Sequence, residues 1–179
     1  PSAAAEPALA SPAGPAAAPA VLAAAPRLGV THPLAIDRPM EHGDYVWNDK
    51  GVPAGPVWIV VDIEGQMLYA YRGGYEIGRA VILYGADDKP TPYGDFTVTQ
   101  KRVDHVSNLY DAPMPYMMRL TDDGVAIHGS TVEYGSATHG CIGVPLEFAE
   151  LLFAAARLGT PVALLDGWEN EPGRAQPRA

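Results

Sequence analysis

The sequence predicts a mainly β fold, a compact sheet sandwich or barrel with one packed helix. Three observations carry this expectation. Short β-branched and aromatic runs bounded by turns fill the chain from residue 45 onward. One segment alone, 146–157, has the apolar spacing of a helix face. The 18 prolines and 19 glycines in 179 residues punctuate the chain into short elements.

Residues 57–63, VWIVVDI, form a β-branched run rich in apolar residues. Glu64 and Gly65 supply a turn and 66–72, QMLYAYR, continue as a second strand, so the pair reads as a hairpin. A third strand is predicted over 75–83, a fourth over 94–100, a fifth over 117–120 and a sixth over 125–127. In the helix, LEFAELLFAAAR, apolar residues recur at Leu146, Ala149, Leu152, Phe153 and Ala156, and Gly159 stands ready to stop it. Residues 162–165 predict a closing strand.

Composition divides the chain into three parts. Residues 1–26 are almost entirely Pro, Ala, Ser and Gly; repeated proline removes amide donors and clashes with the preceding turn, so a flexible linker is expected rather than a helix. With the lead-in that follows, this linker spans 1–44. The folded domain is expected over 45–166, and 167–179 read as a polar C-terminal tail.

A formal net charge of −9 argues against a nucleic-acid surface, which needs concentrated Lys and Arg. No stretch is long and apolar enough to span a bilayer, and the chain begins without a charged segment followed by an apolar one. Either the protein is cytosolic or a targeting segment has been removed. One cysteine forms no intramolecular disulfide, which identifies no compartment.

That cysteine, Cys141, lies in THGCIGVP, directly after His139 and Gly140. A free thiol ionises near ~8.5 and needs a base or cation to act as a nucleophile at neutral pH. Two histidines are near in sequence: His139, and His128 at the end of the apolar run Val125-Ala126-Ile127. A lone cysteine is also a common buried apolar residue. Here the flanking Gly140 and Gly143 give the backbone freedom to present amides as an oxyanion pocket, a setting that a packing residue does not need. His105, His128, His139 and Cys141 have ligand chemistry suited to zinc, but their spacing matches no compact zinc motif, and no metal or cofactor is expected. Residues 103–116, VDHVSNLYDAPMPY, read equally as a surface loop or as a lid, with Tyr93, Tyr110 and Tyr116 as candidate groove-lining aromatics.

Ile127-His128-Gly129, Thr138-His139-Gly140-Cys141 and the upstream Thr91-Pro92-Tyr93-Gly94-Asp95-Phe96 together resemble the signature of the L,D-transpeptidase catalytic domain, the YkuD-like family, over roughly residues 56–165. The resemblance implies a cysteine acyl transferase acting on peptidoglycan stem peptides in the periplasm or another extracytoplasmic space, behind an export signal already removed. It implies Cys141 as nucleophile, His128 as general base, and the Gly129 carbonyl as the group that orients its imidazole. It also implies Gly140 and Cys141 as the oxyanion-hole amides. His139, Thr138, Tyr93 and Tyr116 fall at candidate substrate-binding positions, and carbapenem-type compounds are implied as inhibitors. Hydrolysis by the same site, or a non-catalytic wall-binding module, are the alternatives.

The chain departs from the family pattern in three places. Thr138 stands where serine is common and keeps the hydroxyl. The interval from His128 to Cys141 is short, implying a trimmed loop around 133–137. Gly143 stands where many members carry Arg or Asn, so carboxylate recognition must come from another residue, and Gly143→Arg is expected to speed acylation by a carbapenem.

Overall fold

The computed structural model describes residues 29–85, 89–107 and 111–173. Two sheets pack face to face. The larger has the order β1 (Tyr45–Trp47), β4 (Tyr75–Val81), β3 (Met67–Arg72), β2 (Val57–Asp62), β10 (Pro161–Leu165) and β5 (Gly94–Thr97). The smaller has the order β6 (Gln100–Arg102), β7 (Met117–Arg119), β8 (Ala126–Ser130) and β9 (Ile142–Pro145). Among the described residues α1 (Leu146–Ala155) is the one helix.

β2 explains why its sequence shows no polar alternation. Ile59 and Val61 face the inter-sheet core, with Leu68, Met118, Ile127, Ile142, Phe148 and Leu152, while Trp58 and Val60 face a second cluster on the opposite side. A strand covered on both faces reads as a continuous apolar run. It pairs antiparallel with β3 through the expected hairpin and parallel with β10. The Asp62 carboxylate accepts the Gly65 amide at 2.9 Å, which closes the turn.

Three sequence expectations change in detail. The strand expected over 94–100 splits into β5 and β6, which belong to different sheets, because Val98 and Thr99 carry the chain from one to the other. The helix ends at Ala155 rather than 157. There the Lys101 ammonium donates to the carbonyls of Phe153 and Ala156, both at 2.6 Å, so a cation satisfies the helix C-terminus before Gly159 is reached. β1 and β9 are additional strands, too short to announce themselves in the sequence.

The packed structure also extends beyond 45–166. Val30 is fully buried, and the Leu34 amide donates to the Glu76 carboxylate at 2.7 Å. After Asp166 the chain folds back, with the Gly167 and Trp168 amides donating to Asp62 at 3.0 and 3.1 Å. Trp168 is buried edge-on to Trp58 and donates its indole N–H to the Tyr71 hydroxyl at 2.9 Å. Asn170 joins the same network by donating to Glu76 and accepting from Tyr71, each at 2.7 Å. The stretch expected as a polar tail therefore caps the outer face of the large sheet as far as residue 173. The linker 1–26 lies outside the described residues. Among the described residues no helix is long and apolar enough to cross a membrane.

Candidate active site

β8 and β9 run parallel, with Ile127 opposite Ile142 and His128 opposite Gly143. Side chains alternate between faces, so Ile127, Ile142 and Val144 enter the inter-sheet core. Ala126 lies on the other face with Met114 and Met117, and Cys141 packs against that cluster. His128 is two residues along from Ala126 and Cys141 two before Gly143, which puts imidazole and thiol on the same outer face as diagonal neighbours on adjoining strands. Gly143, directly across from His128, adds no side chain between them.

His128 is 8% exposed, and its Nδ1 lies 2.9 Å from the Gly129 carbonyl. A carbonyl only accepts, so Nδ1 carries the proton and Nε2 keeps the lone pair. Burial pulls the imidazole below its ordinary pKa; the Gly129 bond opposes this and His105 adds to it. The ring is therefore neutral at pH 7. The Cys141 thiol is pushed up by burial, while the Ala126 amide and Lys89 pull it down and Asp123 raises it. Its Sγ donates to the Gly124 carbonyl at 3.7 Å, so the resting site holds a neutral thiol beside a neutral imidazole.

The turn before the cysteine is fixed from two sides. Gly140 has φ +97°, a left-handed conformation that side chains disfavour. Buried Thr91 accepts the Gly85 amide at 2.9 Å and donates to the Gly140 carbonyl at 3.0 Å. The Thr138 hydroxyl donates to the Cys141 carbonyl, and the Thr138 amide donates to Tyr84 at 2.9 Å. Peptide planes are rigid and trans. Because Thr91 holds the Gly140 carbonyl, the Cys141 amide in the same plane points away from Thr91. Among the described residues no backbone carbonyl accepts from the Gly140 or Cys141 amides.

The other sequence candidates fall in different places. His139 is exposed on the turn, and Tyr93 is 57% exposed. The Tyr116 ring lies edge-on to Phe153, 5.7 Å between centroids, and is thus placed against the helix. Tyr110 lies outside the described residues. The described parts of 103–116 form a small hairpin: Val106 bridges Pro113, Met114 donates to His105 and Tyr116 to Val103, each at 2.8 Å. It borders the thiol through Met114 and acts on His128 through His105. Among the described residues no three His, Cys, Asp or Glu side chains group as a metal site, so the four candidate zinc ligands are not brought together. Next to the site, beyond the Gly85–Thr138 bridge, a cleft of about 400 Å³ is lined by His42, Gln66, Tyr84 and the loop Tyr134 to Ala137. The sequence shows Thr91 within the Thr91–Phe96 motif without marking a role for it, and nothing local marks Lys89. The available signal for Thr91 was a hydroxyl residue fixed between two prolines, Pro90 and Pro92.

Residues 56–164 match the model of the L,D-transpeptidase catalytic domain family. Among curated proteins none matches the chain. Solved structures do. An Enterococcus faecium L,D-transpeptidase, crystallised as a cysteine-to-serine variant, is 32% identical with a TM-score of 0.57, covering 63% of this chain and 50% of that one. An L,D-transpeptidase from Mycobacterium tuberculosis H37Rv is 26% identical with a TM-score of 0.56, covering 62% and 57%. L,D-transpeptidase 3 from Mycobacterium tuberculosis, solved with a faropenem-derived adduct, is 22% identical with a TM-score of 0.57, covering 62% and 60%. The chain thus spans less than two thirds of the length of these structures.

Proposed function

The chain belongs to the L,D-transpeptidase catalytic domain family, and from that premise we propose that it is an extracytoplasmic cysteine acyl transferase acting on peptidoglycan stem peptides. The observation that carries the reading is the pairing of Cys141 with His128 on one face of two adjoining parallel strands, beside the Gly140 and Cys141 amides, which no backbone carbonyl among the described residues accepts from.

The chemistry follows from these groups. The thiol turns about its χ1 from the Gly124 carbonyl toward His128, and Nε2 takes its proton as sulfur attacks the scissile carbonyl. The imidazolium that forms is held by its Nδ1–H bond to Gly129. The developing oxyanion is received by the Gly140 and Cys141 amides, the Cys141 amide being aimed by Thr91 through the Gly140 carbonyl of the same peptide plane. Collapse breaks the C–N bond, the departing D-alanine amine takes the proton from His128, and a thioester remains on Cys141. An amine from a second stem then yields an L,D cross-link; water yields a shortened stem. His139, Thr138, Tyr93 and Tyr116 are carried as candidate substrate contacts, with Thr138 and His139 on the turn itself.

The test is intact-mass analysis with a defined tetrapeptide muropeptide. An adduct equal to the donor minus D-alanine on wild type, and none on Cys141→Ala, supports the proposal. Absence of any adduct and of D-alanine release supports the non-catalytic wall-binding module.

A further inference from the structure

The donor chemistry proposed above presents an anion. The departing residue carries a free carboxylate beside the scissile carbonyl, yet Gly143 has no side chain to meet it. Lys89 is the cation that the fold brings to the thiol turn. Its backbone is wedged against that turn: a Cβ built at Gly85 would fall 2.2 Å from the Lys89 carbonyl and 2.8 Å from the Gly140 nitrogen. Two residues on, buried Thr91 bonds to both Gly85 and Gly140 and fixes the segment in register. The Lys89 stem runs over Gly140, where a Cβ would lie 3.6 Å from its Cγ and 3.7 Å from its Cε. These are ordinary contact distances, so the lysine stem lies directly over the peptide next to Cys141. The Lys89 side chain also acts electrostatically on the Cys141 thiol, against Asp123. Among the described residues the ion pairs are Arg38–Asp44, Arg72–Asp49 and Arg79–Glu76, and none engages Lys89.

We propose that Lys89 is the anion-recognising residue of this site, its ammonium receiving the carboxylate that lies next to the scissile carbonyl in place of the side chain that Gly143 lacks. The assignment rests on the acyl-transfer reading for its natural substrate but not for its charge chemistry, which a simple thiol reaction reads directly.

Iodoacetate and iodoacetamide alkylate a thiolate by the same displacement, sulfur bonding to carbon as iodide leaves, and differ mainly in charge. The ratio of their rates on Cys141 is measured by intact mass in wild type, Lys89→Met and Lys89→Arg, with melting curves confirming the fold. The iodoacetate to iodoacetamide ratio is expected to fall about fivefold in Lys89→Met and to be kept in Lys89→Arg. An unchanged ratio in Lys89→Met overturns the assignment. The second arm compares tetrapeptide donors with a free or an amidated C-terminus. Wild type is expected to favour the free acid about fivefold and Lys89→Met to lose that preference; a preference that persists in Lys89→Met also overturns the assignment. If neither peptide acylates wild type while the alkylation ratio still falls, Lys89 stands as the anion contact and the stem-peptide reading fails.

Discussion

The Thr91 hydroxyl donates to the Gly140 carbonyl at 3.0 Å, and the peptide plane that starts at that carbonyl carries the Cys141 amide. Thr91, 49 positions upstream of Gly140, thereby sets the direction of the amide of Cys141, the proposed nucleophile. Thr91→Val keeps the shape but leaves the Gly85 amide and the Gly140 carbonyl without this partner. Stability is expected to fall by about 1–3 kcal/mol, and acylation by at least about tenfold as the donor loses its aim. Thr91→Ser should restore both. Melting curves and adduct-formation rates in the three proteins check this, and a Val variant as fast as wild type would refute it.

A carbapenem is expected to form a covalent adduct on wild type and none on Cys141→Ala, which should melt close to wild type because the thiol is only partly buried. Intact mass after incubation reads this; an adduct persisting in the alanine variant would place the chemistry elsewhere.

The sequence expectation for Gly143→Arg is revised by the space around that position. A Cβ there would meet Ser130 Cβ at 3.0 Å and Leu83 Cβ at 3.4 Å, inside the strand pairing that joins the two sheets. Even Gly143→Ala is expected to cost about 1–3 kcal/mol by overpacking, so the arginine variant should be destabilised rather than faster. Thermal melting together with the adduct rate decides between the two expectations.

The neutral resting pair predicts a particular pH dependence. Burial pulls His128 below its usual pKa, so its basic form is present through neutral pH, and acylation should decline only as acidity protonates it at a pH below ~6.5. Burial pushes the Cys141 thiol up, so alkylation by neutral iodoacetamide should keep rising with pH past the ordinary thiol value near ~8.5. In His128→Ala the acid limb should vanish along with most of the acylation rate. Rate profiles from pH 5 to about 10 test both limbs.

Trp168→Ala removes a buried indole and the donor to Tyr71, and is expected to lower stability by about 3 kcal/mol. Deleting 1–26, by contrast, is expected to leave the melting temperature nearly unchanged. Calorimetry of the two variants separates the packed terminus from the linker.

What was legible in the sequence is what local patterning controls. The hairpin of β2 and β3 follows from contiguous apolar runs around a turn, and α1 from apolar spacing. His128 and Cys141 could be singled out as candidates because each lies in a compact motif, and the strand register sets them on one face. Lys89 and Thr91 were not assigned because their partners are remote: Gly140 meets them only after β4 and β9 have been joined through Leu83 and Gly143. Trp168 was lost in a polar stretch because its burial depends on Asp62 and Tyr71, about a hundred residues earlier. β6 and β9 are short strands whose pairing, rather than their composition, defines them.

Val30 and Gly173 meet on the outer face of the large sheet, where the Gly173 amide donates to the Val30 carbonyl at 2.7 Å. The thiol faces outward from the small sheet, with the inter-sheet core between them. A tether joined before residue 29 or after residue 173 would leave from the back of the molecule. The attachment and the thiol-bearing face then need not compete for the same surface.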